Sequence, residues 1–486
     1  MKTLVALFII SELLFLPGCA VNPVTGHQEL ALMSEQQEIA LGRESNKQVL
    51  QQYAKYDDAR LQAYVESIGK KLAAHSQRKD LVYHFTVLDS NEVNAFALPG
   101  GYIYITRGIM SYLNSEAELA AVLGHEIGHV SARHAVQQYS AAQVANIGAV
   151  LGSIFIPGMN QGGSQLMQIL GTAILRGYGR EDELEADGLG AEYLANSGYD
   201  PQAMIRVIKV LKSQEEFEVR AAKAEGRKPN IYHGVFATHP DNDTRLQEVV
   251  AHADKYRGES FDKPGRDVYL DMIDGLVFGE SAKEGILRGR NFYHPDLGFA
   301  IHLPMHWSTH NQPNQLLVTA PGGAAILQIG VEDINKKISP REFMISRLGL
   351  RQLHDDQQLT IHEMPAHTGL ASVNTSAGMR EARFTVIYFN DRAYIFAGAA
   401  KQANKFKQYD PAFLETARSF HAMTENEHKL AQPLHIRIVR ADDSTNFAEL
   451  AKNSPLQSFA EDQLRLINAK FPNGKLKPGQ LFKVIE

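Results

Sequence analysis

The segment that most constrains this chain is a predicted helix with two histidines four residues apart. Ser115 followed three residues later by Glu118 is typical of a capping box at a helix start. The apolar residues that follow have helical spacing: Leu119, Val122, Leu123, Ile127 and Val130. Since four residues turn a helix slightly past one revolution, His125 and His129 project from nearly the same face.

Two imidazoles on one helix face can bind a single metal ion. A catalytic zinc ion usually has three protein ligands and one water. Glu126 is displaced around the helix from His125, so its carboxylate is placed to reach that water. Zinc lowers the pKa of the water, and Glu126 can accept its proton as a peptide carbonyl is attacked. The pattern predicts a zinc peptidase; the alternative is an exposed helix with two histidines and no metal.

A third ligand is predicted on a downstream helix. Glu183 lies in an acidic segment, residues 181–187, and Asp187 is four residues further on the same helix face. By itself this segment is equally typical of a solvated helix start. Beside the two histidines, Glu183 becomes the predicted third ligand.

Together these motifs resemble the CAAX-prenyl-endopeptidase (Ste-type) family of zinc metallopeptidases, and within it a bacterial periplasmic branch. The resemblance covers roughly residues 20–255 and rests on residues 125–130, Arg133 with His134, Glu183 with Asp187, residues 22–26, residues 94–101, and residues 238–240 with Arg245. It implies a mostly helical, zincin-like domain. Residues 81–88 and 102–106 are rich in β-branched and aromatic types, and the turn signal at residues 99–101 lies between them, so the sequence itself predicts a small antiparallel sheet.

The resemblance also implies roles for individual residues. His125, His129 and Glu183 would bind one zinc ion per chain, Glu126 would be the catalytic base, and Asp187 would bond a ligand histidine or assist proton transfer. Arg133 and His134 are expected to be structural.

An edge strand for substrate is a further implication of the resemblance. Asn94, Ala95 and Phe96 would lie in a strand along which an unfolded or extended polypeptide adds as a further strand. His239 would stabilise the oxyanion or occupy the open position of the metal; the alternative is a turn histidine before proline. Arg245 would belong to the same site or be a plain salt-bridge partner.

The N-terminus has the features of a bacterial lipoprotein signal. One lysine precedes an apolar run that is short for a membrane span, and the run leads to Cys19 in a sequence that resembles a lipobox. Residues 1–19 are therefore expected to be a signal peptide with lipidation at Cys19; the alternative is a buried or free thiol. The chain is expected to be periplasmic and anchored to a lipid membrane, with the outer membrane favoured because Ala20 is not a retention signal.

Length and charge limit the remaining possibilities. The chain has 486 residues, which predicts two to four compact units at roughly 100–200 residues each. With 49 Lys and Arg against 55 Asp and Glu, the net charge of −6 argues against nucleic acid as a partner.

Three domains are predicted after the signal: the peptidase at 20–260, an α+β unit at 261–425 and a small unit at 430–486. The middle unit resembles PsbP/Mog-like sandwiches through residues 298–304 and Trp307. The last unit is expected to be a strand, two helices and a strand and resembles a LysM module, which implies peptidoglycan as a partner. Residues 442–445 depart from the usual Gly-Asp-Thr of that family.

The sequence therefore predicts an α+β protein that hydrolyses peptide bonds of misfolded or misassembled cell-envelope proteins. The alternative is an envelope assembly factor or chaperone that binds polypeptide or peptidoglycan and has a resting metal site.

Overall fold

A computed structural model describes residues 19–144, 178–226, 229, 255, 265–312, 315–375 and 377–486. Helices and strands both contribute to it, in agreement with the predicted α+β class. Two compact units are present. The first contains the described residues up to Gly279 together with Leu434–Glu486, and the second contains Glu280–Pro433.

The first unit begins with a mainly helical region. Its helices are α1 Glu35–Gln52, α2 Ala59–Ala73, α3 Arg107–Tyr112, α4 Glu116–Ser131, α5 His134–Val144, α6 Arg180–Asn196, α7 Gln202–Glu225 and α8 Arg266–Met272. Its strands are β1 Cys19–Val21, β2 Gln28–Leu30, β3 His84–Leu88, β4 Ala95–Leu98, β5 Tyr102–Thr106 and β6 Val277–Phe278.

The helix that carries the two histidines, α4, lies in the core of the first unit. Every residue from 117 to 131 is buried, and the helix packs against α2, α6, α7 and β4. The alternative of an exposed helix is therefore wrong. At its start Ser115 accepts the backbone N–H of Glu118, but the Glu118 carboxylate accepts the N–H of Asn114, so only half of the predicted capping box forms.

The small sheet is mixed rather than antiparallel. The strand order is β3-β5-β4, with β3 parallel to β5 and β4 antiparallel to β5. The predicted antiparallel pairing of β3 with β5 was wrong because the turn before β5 connects it to β4. Gly100 and Gly101 make that turn with φ of +76° and +87°, a backbone region that favours glycine.

The second unit is rich in antiparallel strands. Its helices are α9 Pro340–Ser346, α10 Phe406–Arg418 and α11 Glu425–Leu430. Its strands are β7 Ile286–Arg288, β8 Asn291–His294, β9 Phe299–His302, β10 Ser308–Gln312, β11 Gln315–Thr319, β12 Ala325–Asp333, β13 His354–Ile361, β14 Met364–Thr375, β15 Gly378–Phe389, β16 Arg392–Ala400 and β17 His421–Ala422.

Two sheets organise these strands. The larger has the order β10-β11-β12-β16-β15-β14-β13, and the smaller has the order β17-β9-β8-β7. Helix α10 packs on β16, where Gly398 lies so close to the Phe413 ring that a Cβ would approach it to 2.3 Å. The Trp307 ring packs edge-on against Phe413.

The C-terminal segment consists of β18 Leu434–Arg440, α12 Phe447–Lys452, α13 Ala460–Ile467 and β19 Leu481–Ile485. The order strand, helix, helix, strand agrees with the sequence-based expectation. Strands β18 and β19 are antiparallel, and β18 also pairs with β6.

The C-terminal segment is part of the first unit, whereas the sequence predicted a separate one. Leu464 and Phe447 belong to the same buried apolar cluster as Leu119 of α4. The fully buried Lys483 donates from Nζ to the carbonyl oxygens of Ser111 and Leu113, both at 2.7 Å. The sequence of a short segment does not reveal which other part of the chain covers its apolar face.

None of the described helices combines the length and apolar character that crossing a bilayer requires.

Replacing Leu464 by Ala tests this shared core. Because Leu464 is 1% exposed, we expect a loss of about 2–5 kcal/mol in unfolding free energy and faster hydrogen exchange in α4. Leu50→Ala is the matched control, since Leu50 is 42% exposed and should change stability by about 0.5 kcal/mol or less. Unchanged exchange in α4 of the Leu464→Ala protein would contradict a shared core.

Candidate metal centre

Small residues bring α4 and α6 into close contact. A Cβ added at Gly128 would lie 2.9 Å from the carbonyl oxygen of Ala186, and one at Gly124 would lie 3.3 Å from that of Gly190. Because these residues recur every four positions, they form one face of each helix. The backbones approach closely along this face, which places the start of α6 beside the histidines of α4.

Helix α6 begins with three acidic residues, which are favourable at a helix N-terminus. Glu181, Asp182 and Glu183 occupy the first turn, where the partial positive charge of a helix N-terminus stabilises carboxylates. The Asp182 carboxylate accepts the backbone N–H of Gly179 at 3.2 Å. Glu183, unlike the exposed Glu181, is completely buried and faces α4.

Three predicted ligands converge between the two helices. The Nε2 atoms of His125 and His129 are 3.0 Å apart. Glu183 carboxylate oxygens lie 3.6 Å from Nε2 of His125 and 3.5 Å from Nε2 of His129. All three side chains are buried, and their ligand atoms lie within 4.8 Å of one another. Two imidazole nitrogens and one carboxylate oxygen are a donor set that fits zinc.

The outer nitrogen of His125 contacts Asp187. Its Nδ1 lies 2.8 Å from Oδ1 of Asp187, which is itself buried. A carboxylate beside Nδ1 favours the tautomer in which Nδ1 carries the proton and Nε2 can bind a metal. Asp187 thus lies beside the outer ring nitrogen of a candidate ligand histidine.

The outer nitrogen of His129 contacts His134, a residue that the sequence suggested only as structural. The two Nδ1 atoms are 2.8 Å apart, and Nε2 of His134 lies 3.1 Å from Oε2 of Glu185. A ligating His129 donates from Nδ1, so His134 accepts at Nδ1 and donates from Nε2 to Glu185. Sequence reasoning missed Glu185, although it lies in the same acidic helix as Glu183.

Glu126 and an aromatic ring complete the centre. Glu126 is 1% exposed. The ring of Tyr178 stacks on that of His129, with centroids 4.0 Å apart and planes inclined by 18°. Desolvation raises the pKa of Tyr178, and the carboxylates of Glu126 and Glu183 raise it further, so the phenol stays neutral. The sequence analysis assigned Tyr178 no role.

A buried ion-pair network joins the end of α4 to the turn between β4 and β5. The Glu38 carboxylate accepts from Arg78 at 2.7 Å, from Arg133 at 2.9 Å and from the N–H of Gly100 at 3.3 Å. Arg78 also donates to the carbonyl of Val130 at 3.1 Å. This network holds the β4–β5 turn relative to the metal helix, and sequence reasoning missed its glutamate.

The predicted substrate strand lies at the edge of the small sheet. Asn94 precedes β4, and Ala95 and Phe96 are its first two residues. All three are buried. Ala95 lines the same cavity as His125 and Glu126. The structure therefore places this strand next to the metal ligands.

Other predicted residues have no described side chain. His239 and Arg245 lie outside the described residues, as do residues 1–18 of the signal predicted at 1–19. The backbone of Cys19 begins β1 and pairs with Leu30 of β2. The roles of these three residues stay predictions.

Residues 59–253 match the sequence model of Peptidase family M48. The "Beta-barrel assembly-enhancing protease" of Escherichia coli (strain K12) is 29% identical over 266 residues, 52% of this chain and 52% of that protein. The "Mitochondrial metalloendopeptidase OMA1" of Arabidopsis thaliana is 32% identical over 157 residues, 32% of this chain and 31% of that protein. The chain spans about half the length of the first of these relatives.

Two solved structures are also similar to part of the chain. Cyanobacterial PsbP from Synechocystis sp. PCC 6803 has 12% identity and a TM-score of 0.24, covering 30% of this chain and 98% of that one. The Ran-binding protein Mog1p of Saccharomyces cerevisiae has 10% identity and a TM-score of 0.22, covering 28% of this chain and 96% of that one.

Replacing Gly128 by Ala tests whether the helix contact positions the ligands. The new Cβ meets the backbone of Ala186, which cannot rotate away, so α6 must shift and carry Glu183 with it. We expect zinc affinity to fall about 10-fold or more, measured by competition with a chelating dye. Gly124→Ala is the control, because its Cβ would lie 3.3 Å from the carbonyl oxygen of Gly190. We expect it to lower zinc affinity less than Gly128→Ala does. Equal zinc affinity in both variants and the original protein would contradict this role.

Proposed function

We propose that this chain, in which residues 59–253 are homologous to Peptidase family M48, is a zinc-dependent endopeptidase of the bacterial cell envelope. The observation that supports it most is the convergence of His125, His129 and Glu183 in a buried site beside Glu126. Three protein ligands of this kind are the number that catalytic zinc sites usually have.

The residues of the site have different roles in peptide hydrolysis. Zinc, when bound by His125, His129 and Glu183, polarises the peptide carbonyl and lowers the pKa of water. Glu126 accepts a proton from the attacking water and passes it to the leaving amine. Its burial excludes competing water, so the proton returns to the substrate rather than to solvent.

The surrounding side chains keep this geometry. The Asp187 carboxylate lies 2.8 Å from Nδ1 of His125 and favours the tautomer that binds metal through Nε2. His134, together with Glu185, has the corresponding position beside Nδ1 of His129. Tyr178 covers one face of the His129 ring. The ligands are therefore held in position before substrate arrives, which reduces the reorganisation that the reaction requires.

The substrates that we propose are misfolded or misassembled envelope proteins. An extended polypeptide pairs with the edge strand β4, and unfolded segments are favoured because most of the backbone of a folded protein is already hydrogen-bonded. The name of the relative from Escherichia coli, an assembly-enhancing protease, supports an envelope role of this kind. We place the enzyme in the CAAX-prenyl-endopeptidase branch, on the periplasmic side of the outer membrane and anchored through Cys19.

Peptidoglycan binding by the LysM-like residues 430–486 is a further part of this proposal. It rests on the order strand, helix, helix, strand of that segment. It is tested by measuring whether the full-length protein binds to purified peptidoglycan.

Replacing Glu126 by Gln tests the reaction. The amide cannot accept the proton, so cleavage of an unfolded protein should fall at least ~100-fold while bound zinc stays at the original level. Proteolysis is followed by gel electrophoresis and zinc by elemental analysis. Glu181→Gln, an exposed change in α6, is the matched control and should retain activity. Undiminished proteolysis by the Glu126→Gln protein would exclude this mechanism.

The same variant separates the peptidase from an assembly factor or chaperone. Cells that lack the protein are complemented with the original chain or with Glu126→Gln, and an envelope-stress phenotype is scored. Loss of complementation is expected for a peptidase. Full complementation by the inactive chain would favour the chaperone.

A further inference from the structure

We propose that three histidines and one glutamate of the second unit bind a further metal ion, a divalent transition metal. They lie in β9, in the turn between β13 and β14, in β17 and in α11, and are His302, His362, His421 and Glu427. All four belong to the second unit, so the proposal does not depend on the peptidase function of the first. We call these residues the histidine cluster.

Two of the imidazoles are held by backbone carbonyl groups. Nδ1 of His362 lies 2.8 Å from the carbonyl oxygen of Phe420, and Nδ1 of His421 lies 2.7 Å from that of Ser419. Because a carbonyl oxygen only accepts hydrogen bonds, both rings donate from Nδ1. Histidines that bind a metal through Nε2 usually donate their other ring proton to an oxygen in this way.

His302 is held in the same manner by a side chain. Its Nδ1 lies 2.7 Å from Oδ1 of Asn291, the residue directly opposite it on β8. Burial lowers the pKa of His302, and the charge of His421 lowers it further, so the ring is neutral at pH 7. A neutral ring that donates from Nδ1 has its lone pair on Nε2, the atom available to a metal.

The Nε2 atom of His421 faces a carboxylate. It lies 2.9 Å from Oε1 of Glu427, and the two side chains are only 20% and 17% exposed. Burial lowers the pKa of His421, but its hydrogen bonds to Ser419 and Glu427 outweigh this effect and raise the pKa overall. A metal ion bound by Nε2 and Oε1 takes the place of the proton between them, and that proton leaves to solvent.

The strand register brings two of the histidines to one face of the smaller sheet. His421 is directly opposite Ala300, and His302 is two residues from Ala300 along β9. Opposite residues share a face, and so do residues two apart on one strand. His302 and His421 are therefore diagonal neighbours on that face.

The distances between the rings fit a single ion. The ring centroids of His302 and His362 lie 5.8 Å and 5.7 Å from that of His421. Two imidazoles that bind one zinc ion through Nε2, at about 2.0–2.1 Å each, have centroids about 5–6 Å apart. His302 and His362 are exposed, so small rotations of their side chains can direct both Nε2 atoms to one point near His421.

The donor set determines which ions the histidine cluster accepts. Imidazole nitrogens suit Zn²⁺, Cu²⁺ and Ni²⁺, whereas Mg²⁺ requires oxygen ligands. A bound ion would join the β13–β14 turn of the larger sheet to the smaller sheet and to α11. Because the ion binds only the folded arrangement, it would stabilise the second unit.

Zinc titration of the whole protein tests this proposal. Untagged full-length protein is freed of metal with a chelator and titrated with Zn²⁺ in a calorimeter. We expect a site at the histidine cluster in addition to the centre around His125, and no binding of Mg²⁺ to the cluster.

Two variants each remove one ligand from an exposed position, so both should fold. His302→Gln and His362→Gln should bind zinc at the cluster at least ~10-fold more weakly and keep the other site. His354→Gln is the matched control and should keep both sites. His354 is another exposed histidine of the second unit, and its Nε2 lies 3.1 Å from a carboxylate oxygen of Glu381.

Two results would overturn the proposal. One is zinc binding that is unchanged in both ligand variants, which leaves His421 as an ion-pair partner of Glu427 only. The other is an equal loss in the His354→Gln protein, which would mean unspecific binding to exposed histidines. Proteolysis is measured separately and should be the same in the His362→Gln and original proteins, so failure of this site and failure of the peptidase are distinguishable.

Discussion

The close contact between α4 and α6 is the constraint on which the metal centre depends. Glycines on α4 face Ala186 and Gly190 on α6, so the two backbones touch with no side chain between them. Only at this distance does the Glu183 carboxylate come within 3.5–3.6 Å of both histidine nitrogens. The contact includes no catalytic group, yet a single methyl group at Gly128 would displace Glu183 from the histidines.

Buried polar contacts then hold this helix pair in the rest of the first unit. The Glu38 network ties the end of α4 to the β4–β5 turn. Near the start of α4, burial lowers the pKa of Lys483 and raises that of Glu118, and the attraction between their charges opposes both shifts. A buried charge that loses its partner costs free energy, so breaking one of these contacts would destabilise the folded protein. The contacts therefore restrict the helix to one position. The C-terminal segment takes part in this restriction.

Local patterns in the sequence predicted much of this architecture, including the α4 helix, its serine cap and the C-terminal order of elements. They failed where distant parts of the chain meet. The β3–β5 pairing was wrong because a turn signal does not state which two strands it joins. His134 was judged structural because its contact with His129 depends on how the chain turns after α4. Glu38 and Tyr178 escaped notice because Glu38 contacts Arg133 and Tyr178 contacts His129, and each partner is remote along the chain.

The sequence by itself determined the candidate chemistry, since the spacing of His125, Glu126 and His129 on one helix follows from local geometry alone. Tertiary structure decided everything that depends on distance between elements: the approach of Glu183, the histidine–carboxylate contacts, the cavity between α4 and α7, and the placement of residues 434–486. The physical reason is that helix periodicity acts over a few residues, whereas packing joins residues that are remote along the chain.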